Sequence, residues 1–155
     1  IGKIAVDHFH ENFMLGGYVD DKLQPWKVSK RIGRDKSASS GYGILLSSRK
    51  ELYNSIRFIS SEGKVVIASS LKYSKIHNEG GTITQKITPQ MRKFAWAKYY
   101  ESGETNSAWK AMALTKKTAL TIVIPQRKYM GRSIELNRLI QARISKDLKR
   151  ILTTK

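Results

Sequence analysis

Apolar residues recur at the α-helical period at both ends of this chain and fall into short β-branched runs between them. That change of period restricts the chain to a mixed helix-and-strand fold. Ile1, Ala5, Phe9 and Phe13 stand four apart and stop at Gly16-Gly17, as one face of an amphipathic helix does. At the other end, 100° per residue puts Leu136, Ile140, Ile144, Leu148 and Ile151 on one side of a helix. Arg138, Arg143, Lys146, Lys149 and Arg150 fall on the opposite side, with Leu139 alone among them. Gly131-Arg132 reads as the turn before this helix and Ser133 as its N-cap.

Between these ends the predicted elements are short. Ser47 or Ser48 is placed to cap a brief helix carrying Leu52, Tyr53 and Ile56. Ile56 to Ile59 and Val65 to Ala68 read as a hairpin about Ser61-Glu62-Gly63-Lys64. Tyr73 to Gly81 reads as a short helix broken by Gly80-Gly81, and Thr82 to Thr88 as a strand. Pro89 opens a helix with Met91, Phe94, Ala95, Lys98 and Tyr99 on one face. Ser102 to Asn106 breaks it, and Ala108 to Leu114 forms another. Leu120 to Ile124 is a strand stopped by Pro125. The expected fold is α+β: a curved, mainly antiparallel sheet flanked by N- and C-terminal helices, with a helical insertion over 89–119. Residues 20–43, with Pro25-Trp26, Lys30-Arg31 and Ser37 to Gly43, read as a long mobile connection.

The 155 residues fit one domain. Their charge is lopsided: 29 Lys and Arg against 12 Asp and Glu give a net +17. Such a field favours anionic partners: nucleic acid, anionic lipid or an acidic protein surface. The excess grows along the chain, and residues 121–155 hold nine basic and two acidic residues. These cations lie among apolar residues that must pack, so no separable basic tail exists. Arg127, Lys128, Arg132, Arg138, Arg143, Lys146, Lys149 and Arg150 are the candidate contacts to DNA or another anionic partner. Trp26, Trp96, Tyr99, Tyr100 and Trp109 are candidate subunit contacts, together with the loop from Lys27 to Gly43.

Recognisable chemistry is sparse. The chain has no cysteine, which removes disulfides, thiolate zinc sites and thiol catalysis. His8 and His10 form an H-x-H pair, but residues two apart on a helix diverge by about 200°, so no metal is expected there. His77 near Glu79 resembles an acid–base dyad without a nucleophile. Gly41-Tyr42-Gly43 lacks the Lys-Ser/Thr of a phosphate loop. No cofactor, metal or catalytic residue is expected. The apolar runs stay well below the roughly 18 residues of a membrane span, and Ile1 to Ile4 show no signal-peptide pattern.

Several ordered motifs resemble the phage virion morphogenesis family, which includes Mu-type morphogenesis and P2-like tail completion proteins. They are Phe9-His10-Glu11-Asn12-Phe13, Gln24-Pro25-Trp26-Lys27, the run from Leu45 to Ile56, Tyr73-Ser74-Lys75-Ile76-His77-Asn78-Glu79-Gly80-Gly81-Thr82-Ile83, and Ile124-Pro125-Gln126-Arg127-Lys128-Tyr129-Met130-Gly131. The resemblance spans roughly residues 4–152. Arg49 stands where many members have glycine, and residues 89–119 are an insertion often short in relatives. Within the motifs, Tyr73, His77, Gly80, Gly81, Pro125 and Gly131 are expected to build the fold, with His77 bonding nearby backbone. The resemblance implies a non-enzymatic structural protein of the tail or head–tail neck, assembled in the host cytoplasm and carried in the virion. It also implies a homo-oligomeric ring, a hexamer being the expected form, touching other tail or neck proteins. The rival reading from charge alone is a stand-alone nucleic-acid-binding protein.

Overall fold

A computed structural model describes residues 1–29, 32 and 41–153. In chain order its elements are α1 (Gly2–Leu15), β1 (Gly17–Val19), β2 (Leu23–Pro25), α2 (Glu51–Asn54), β3 (Ile56–Ser61), β4 (Lys64–Ser69), α3 (Ser74–Glu79), β5 (Gly81–Lys86), α4 (Pro89–Glu101), α5 (Ser107–Leu114), β6 (Ala119–Ile124) and α6 (Ile134–Thr153). The chain divides into two compact units. One holds residues 1–80 and 125–155; the other, residues 81–124, is inserted into it.

The mixed architecture expected from the periodicity holds: short antiparallel sheets with helices at both ends. Among the described residues the strands are spread over three two-stranded ladders, β1–β2, β3–β4 and β5–β6, instead of one continuous sheet. Strand β2 lies within the stretch expected as a loop and pairs with β1 just before it, Gly17 opposite Pro25 and Val19 opposite Leu23. Three-residue strands are too short to show an alternation. Of the expected loop, Lys30, Arg31 and residues 33–40 lie outside the described residues.

In the larger unit, Ala5, Phe9 and Phe13 of α1 face the core as their spacing predicts. Phe13 is its centre. The Tyr129 ring lies 4.9 Å away, and Trp26 and Tyr53 meet it edge-on at 5.7 and 5.8 Å. Each such pair adds about 0.5–1.5 kcal/mol to simple burial. Leu52, Ile56 and Leu136 complete the cluster. Gly16, left-handed at φ 65°, closes α1. α2 departs from expectation: neither Ser47 nor Ser48 caps it. Its N-cap is Lys50 at φ 48°, next to Arg49. A left-handed conformation costs a non-glycine residue about 1 kcal/mol.

Residues 125–133 cross the core outside any ladder, so side chains must satisfy much of their backbone. Asn78 Oδ1 accepts from the Tyr129 and Met130 amides at 2.8 and 2.9 Å. Asn12 Nδ2 donates to the Tyr129 carbonyl at 3.1 Å, while its Oδ1 accepts from Val19 N at 2.9 Å. Trp26 Nε1 donates to the Lys128 carbonyl at 2.8 Å, and the Tyr18 hydroxyl to the Arg132 carbonyl. Burial pushes the Tyr18 and Tyr129 phenols up to about 12, with Asp20 adding to the effect at Tyr18. Both therefore remain neutral donors at any ordinary pH.

The segment then delivers α6. Ser133 Oγ accepts from Leu136 N at 3.0 Å, the expected cap, and Asp20 Oδ1 accepts from Ile134 N at 2.9 Å. Thr88 caps α4 with Pro89 in its first turn, and Asn106 caps α5. In this smaller unit Ala95, Tyr99 and Ala113 are buried between the two helices. Arg92 ties α4 to the Thr115 and Lys117 carbonyls. Residues 89–119 carry α4 and α5, and the compact unit of residues 81–124 adds the β5–β6 ladder.

Two substitutions test this account. Asn12→Ala leaves the Tyr129 carbonyl and the Val19 amide without their partner and should cost about 2 kcal/mol or more in urea unfolding. The exposed Lys3–Asp7 pair supplies the control: Lys3→Ala should cost under about 1 kcal/mol. Gly80 sits at φ 75°, ψ 178°, and a Cβ there would stand 2.8 Å from Gln126 N. Gly80→Ala should therefore destabilise by about 2 kcal/mol or more.

Candidate assembly surfaces

The motif residues around His77 form a structural joint. The His77 carbonyl accepts from Arg127 N at 2.9 Å, and the Tyr129 hydroxyl donates to the Ser74 carbonyl at 3.0 Å. Gly131, at φ 150°, leaves room for the Lys128 side chain. The His77 side chain does not bond backbone as expected. Its Nδ1 is buried with no hydrogen-bond partner, and its ring meets Tyr73 edge-on at 5.8 Å. Burial, helped by the nearby Arg127 guanidinium, holds its pKa below the usual imidazole value. Glu79 turns away to Lys75, 3.9 Å off, so the sequence pair forms no dyad. His10 is committed as well: it stacks on Tyr53 at 3.8 Å, with Nε2 2.9 Å from the Tyr53 carbonyl.

The candidate cations are less uniform than their helical angles suggest. Arg127 turns its guanidinium onto the Lys27 carbonyl at 3.2 Å, and Lys128 lies 4.0 Å over the Tyr18 ring. Arg138 pairs with Asp21 at 2.9 Å and with Glu135 at 3.4 Å. Arg143 holds Asp147 at 2.8 Å, with Arg150 at 4.0 Å from the same carboxylate. The hydrogen bond from Arg143 keeps Asp147 below the usual carboxylate range. Local acids thus interrupt the expected cationic face. Arg132, Lys146 and Lys149 stand exposed beside it.

The aromatic candidates also divide. Trp26, expected at a subunit contact, is buried in the core of the larger unit against Phe13, with its indole N–H donated to the Lys128 carbonyl. Tyr99 is likewise buried, inside the smaller unit. Trp96 and Trp109 are half-buried, with Trp109 edge-on to Phe94 at 5.8 Å. Tyr100 is exposed and stacks on Trp96 at 5.8 Å. Lys110 lies 5.5 Å over the Tyr99 ring.

A surface not singled out from the sequence lies on β3–β4. Phe58 pairs with Ile67 and Ile59 with Val66, so successive apolar pairs face opposite sides. Phe58 reaches α1 at Gly2, and Ile67 packs toward the core. On the other side Ile59 is 66% exposed and Val66 40%. The available signal was a missing alternation. Ile56-Arg57-Phe58-Ile59 and Val65-Val66-Ile67-Ala68 lack the alternation of a half-exposed strand, yet the chain covers neither side fully: Phe58 and Val65, on the α1 side, are still 46% and 38% exposed.

A comparison with protein families matches residues 21–149 to the phage virion morphogenesis family. The chain belongs to that family. Membership carries a structural role in phage assembly and associates the protein with the virion. No curated protein and no solved structure is significantly similar to the chain. Among the described residues no helix is long and apolar enough to cross a membrane.

The His77 environment gives a pH prediction. With its pKa lowered in the folded state, the protein binds fewer protons folded than unfolded below about pH 6.5. This contribution is complete above about pH 6.5 and is lost as the pH falls. Melting temperatures measured from about pH 7.5 to about 5.5 should therefore fall, and His77→Gln should flatten the decline. Equal slopes for both proteins would remove His77 from the explanation.

Proposed function

We propose that this protein completes the tail, or joins it to the head–tail neck, as a ring of identical subunits without enzymatic activity. The observation that carries the reading is the balance of its apolar surface. Among the described residues 22 large hydrophobic side chains are exposed, while 12 hydrophobic residues, three of them alanine, are buried. Scattered exposure is ordinary, but an uncovered strand face is a surface built for a partner. The β3–β4 ladder supplies that face in Ile59 and Val66. A two-stranded ladder also has edges able to pair with a neighbouring strand. The smaller unit, with Tyr100, Trp96 and Trp109, offers a second contact. In the assembled particle, Arg132, Lys146 and Lys149 face DNA or an acidic protein.

The charge supports a second reading, a stand-alone nucleic-acid-binding protein. That reading predicts tight DNA binding by a monomer or dimer, falling steeply as salt rises. The ring reading predicts particles larger than a dimer in light scattering at raised concentration. Ile59→Glu with Val66→Lys should shift them to monomers without loss of melting temperature, because both side chains are exposed. Phage lacking the protein should accumulate heads and tails that fail to join. A strictly monomeric protein absent from purified virions defeats the proposal.

A further inference from the structure

The smaller unit carries charge and aromatic surface together. Residues 81–124 hold seven basic residues and two acidic ones. Both acids, Glu101 and Glu104, lie at or beyond the C-terminal end of α4, and Glu101 is paired with Lys98. Free positive charge gathers nearer the start of that helix. Lys93 is exposed in its second turn. Arg92, beside it, donates to the Thr115 and Lys117 carbonyls, which holds the exposed Lys116-Lys117 pair along the same part of α4.

Lys93, Trp96 and Tyr100 follow at intervals of three and four, so they share one flank of the helix. The Trp96 and Tyr100 rings are stacked within 20° of parallel, 5.8 Å apart. Trp96 meets the buried Tyr99 ring edge-on at 5.8 Å, which fixes its plane. Tyr100 is 59% exposed, so its ring stands open to solvent on a braced support.

We infer that this flank of α4 binds a single strand of nucleic acid, with a base stacked on Tyr100 and the phosphates along Lys93, Lys116 and Lys117. From Lys93 to Tyr100 the helix rises about 10 Å. That is roughly the length of three stacked nucleotides at about 3.4 Å each. Charge alone would suit any polyanion, and the exposed ring chooses among them. Every base has a π-face that stacks on an aromatic side chain whatever the sequence. A duplex keeps those faces inside its own stack, and an acidic peptide offers carboxylates without them. The inference rests on the reading above only in taking the smaller unit as a contact surface, and it names the occupant. The ring keeps the β3–β4 face for its subunits, so either idea can fail alone.

The test uses the full chain and a fluorescein-labelled oligothymidylate of about 12 nucleotides. At about 0.2 M salt, fluorescence anisotropy should show saturable binding. Tyr100→Ala should weaken it about fivefold or more, and Tyr100→Phe should retain it. An abasic strand of the same length should bind the unmodified protein more weakly by a similar factor, a comparison that needs no variant. Lys93→Ala with Lys116→Ala should flatten the slope of log affinity against log salt by about 1.4, two phosphate contacts at about 0.7 each. These side chains are exposed, and circular dichroism melting should show that each variant folds. Equal binding of the abasic strand overturns the inference, and so does an unchanged affinity in Tyr100→Ala. A loss of the same size for a duplex overturns it too. Smaller particles of Tyr100→Ala in light scattering, with affinity for the strand kept, would assign the ring to a subunit contact instead.

Discussion

The backbone of residues 125–133 has no neighbouring strand, yet it passes through the middle of the larger unit. An extended segment in that position is stable only if polar groups from elsewhere meet its amides and carbonyls. Here they come from α1 through Asn12, from β1 through Tyr18, from beyond β2 through Trp26 and from α3 through Asn78. Each donor or acceptor has one productive place to stand. The segment therefore fixes how the elements of the larger unit pack around it. Phe13, Tyr129 and Trp26 add apolar burial, but the hydrogen bonds set the register.

Much of this architecture is legible in the residues. The Ile1 to Phe13 spacing marks α1 and its buried face, Pro89 marks the start of α4, and Ser133 marks the start of α6. These signals are local, and the physics that makes them is local. Other features depend on distant partners. Trp26 reads as a candidate subunit contact in a polar stretch, and the Lys128 carbonyl that it meets in the core lies 102 residues away in sequence. The β1–β2 ladder is too short to show a period, and the cap of α2 rests on the left-handed Lys50.

The functional surfaces divide in the same way. The helical angles of α6 place its apolar and basic sides well. They do not show that Asp147 sits between Arg143 and Arg150, or that Arg138 reaches across to Asp21. Nor does an apolar strand disclose whether both of its faces are covered. That Ile59 and Val66 lie on the side of β3–β4 away from α1 becomes visible only once α1 is seen against Phe58. Family membership supplies the biological setting.

The close approach of Gly80 to Gln126 bears on how this chain tolerates change. The two ends at which residues 81–124 join the larger unit meet there, clasped by the bond from the Arg127 amide to the His77 carbonyl. Whatever is spliced between them begins and ends at one point that the larger unit already holds closed. Altering its length changes the free energy of loop closure only logarithmically and leaves the Phe13 core alone. The clasp thus separates the length of what lies between its ends from the packing of the unit that holds them.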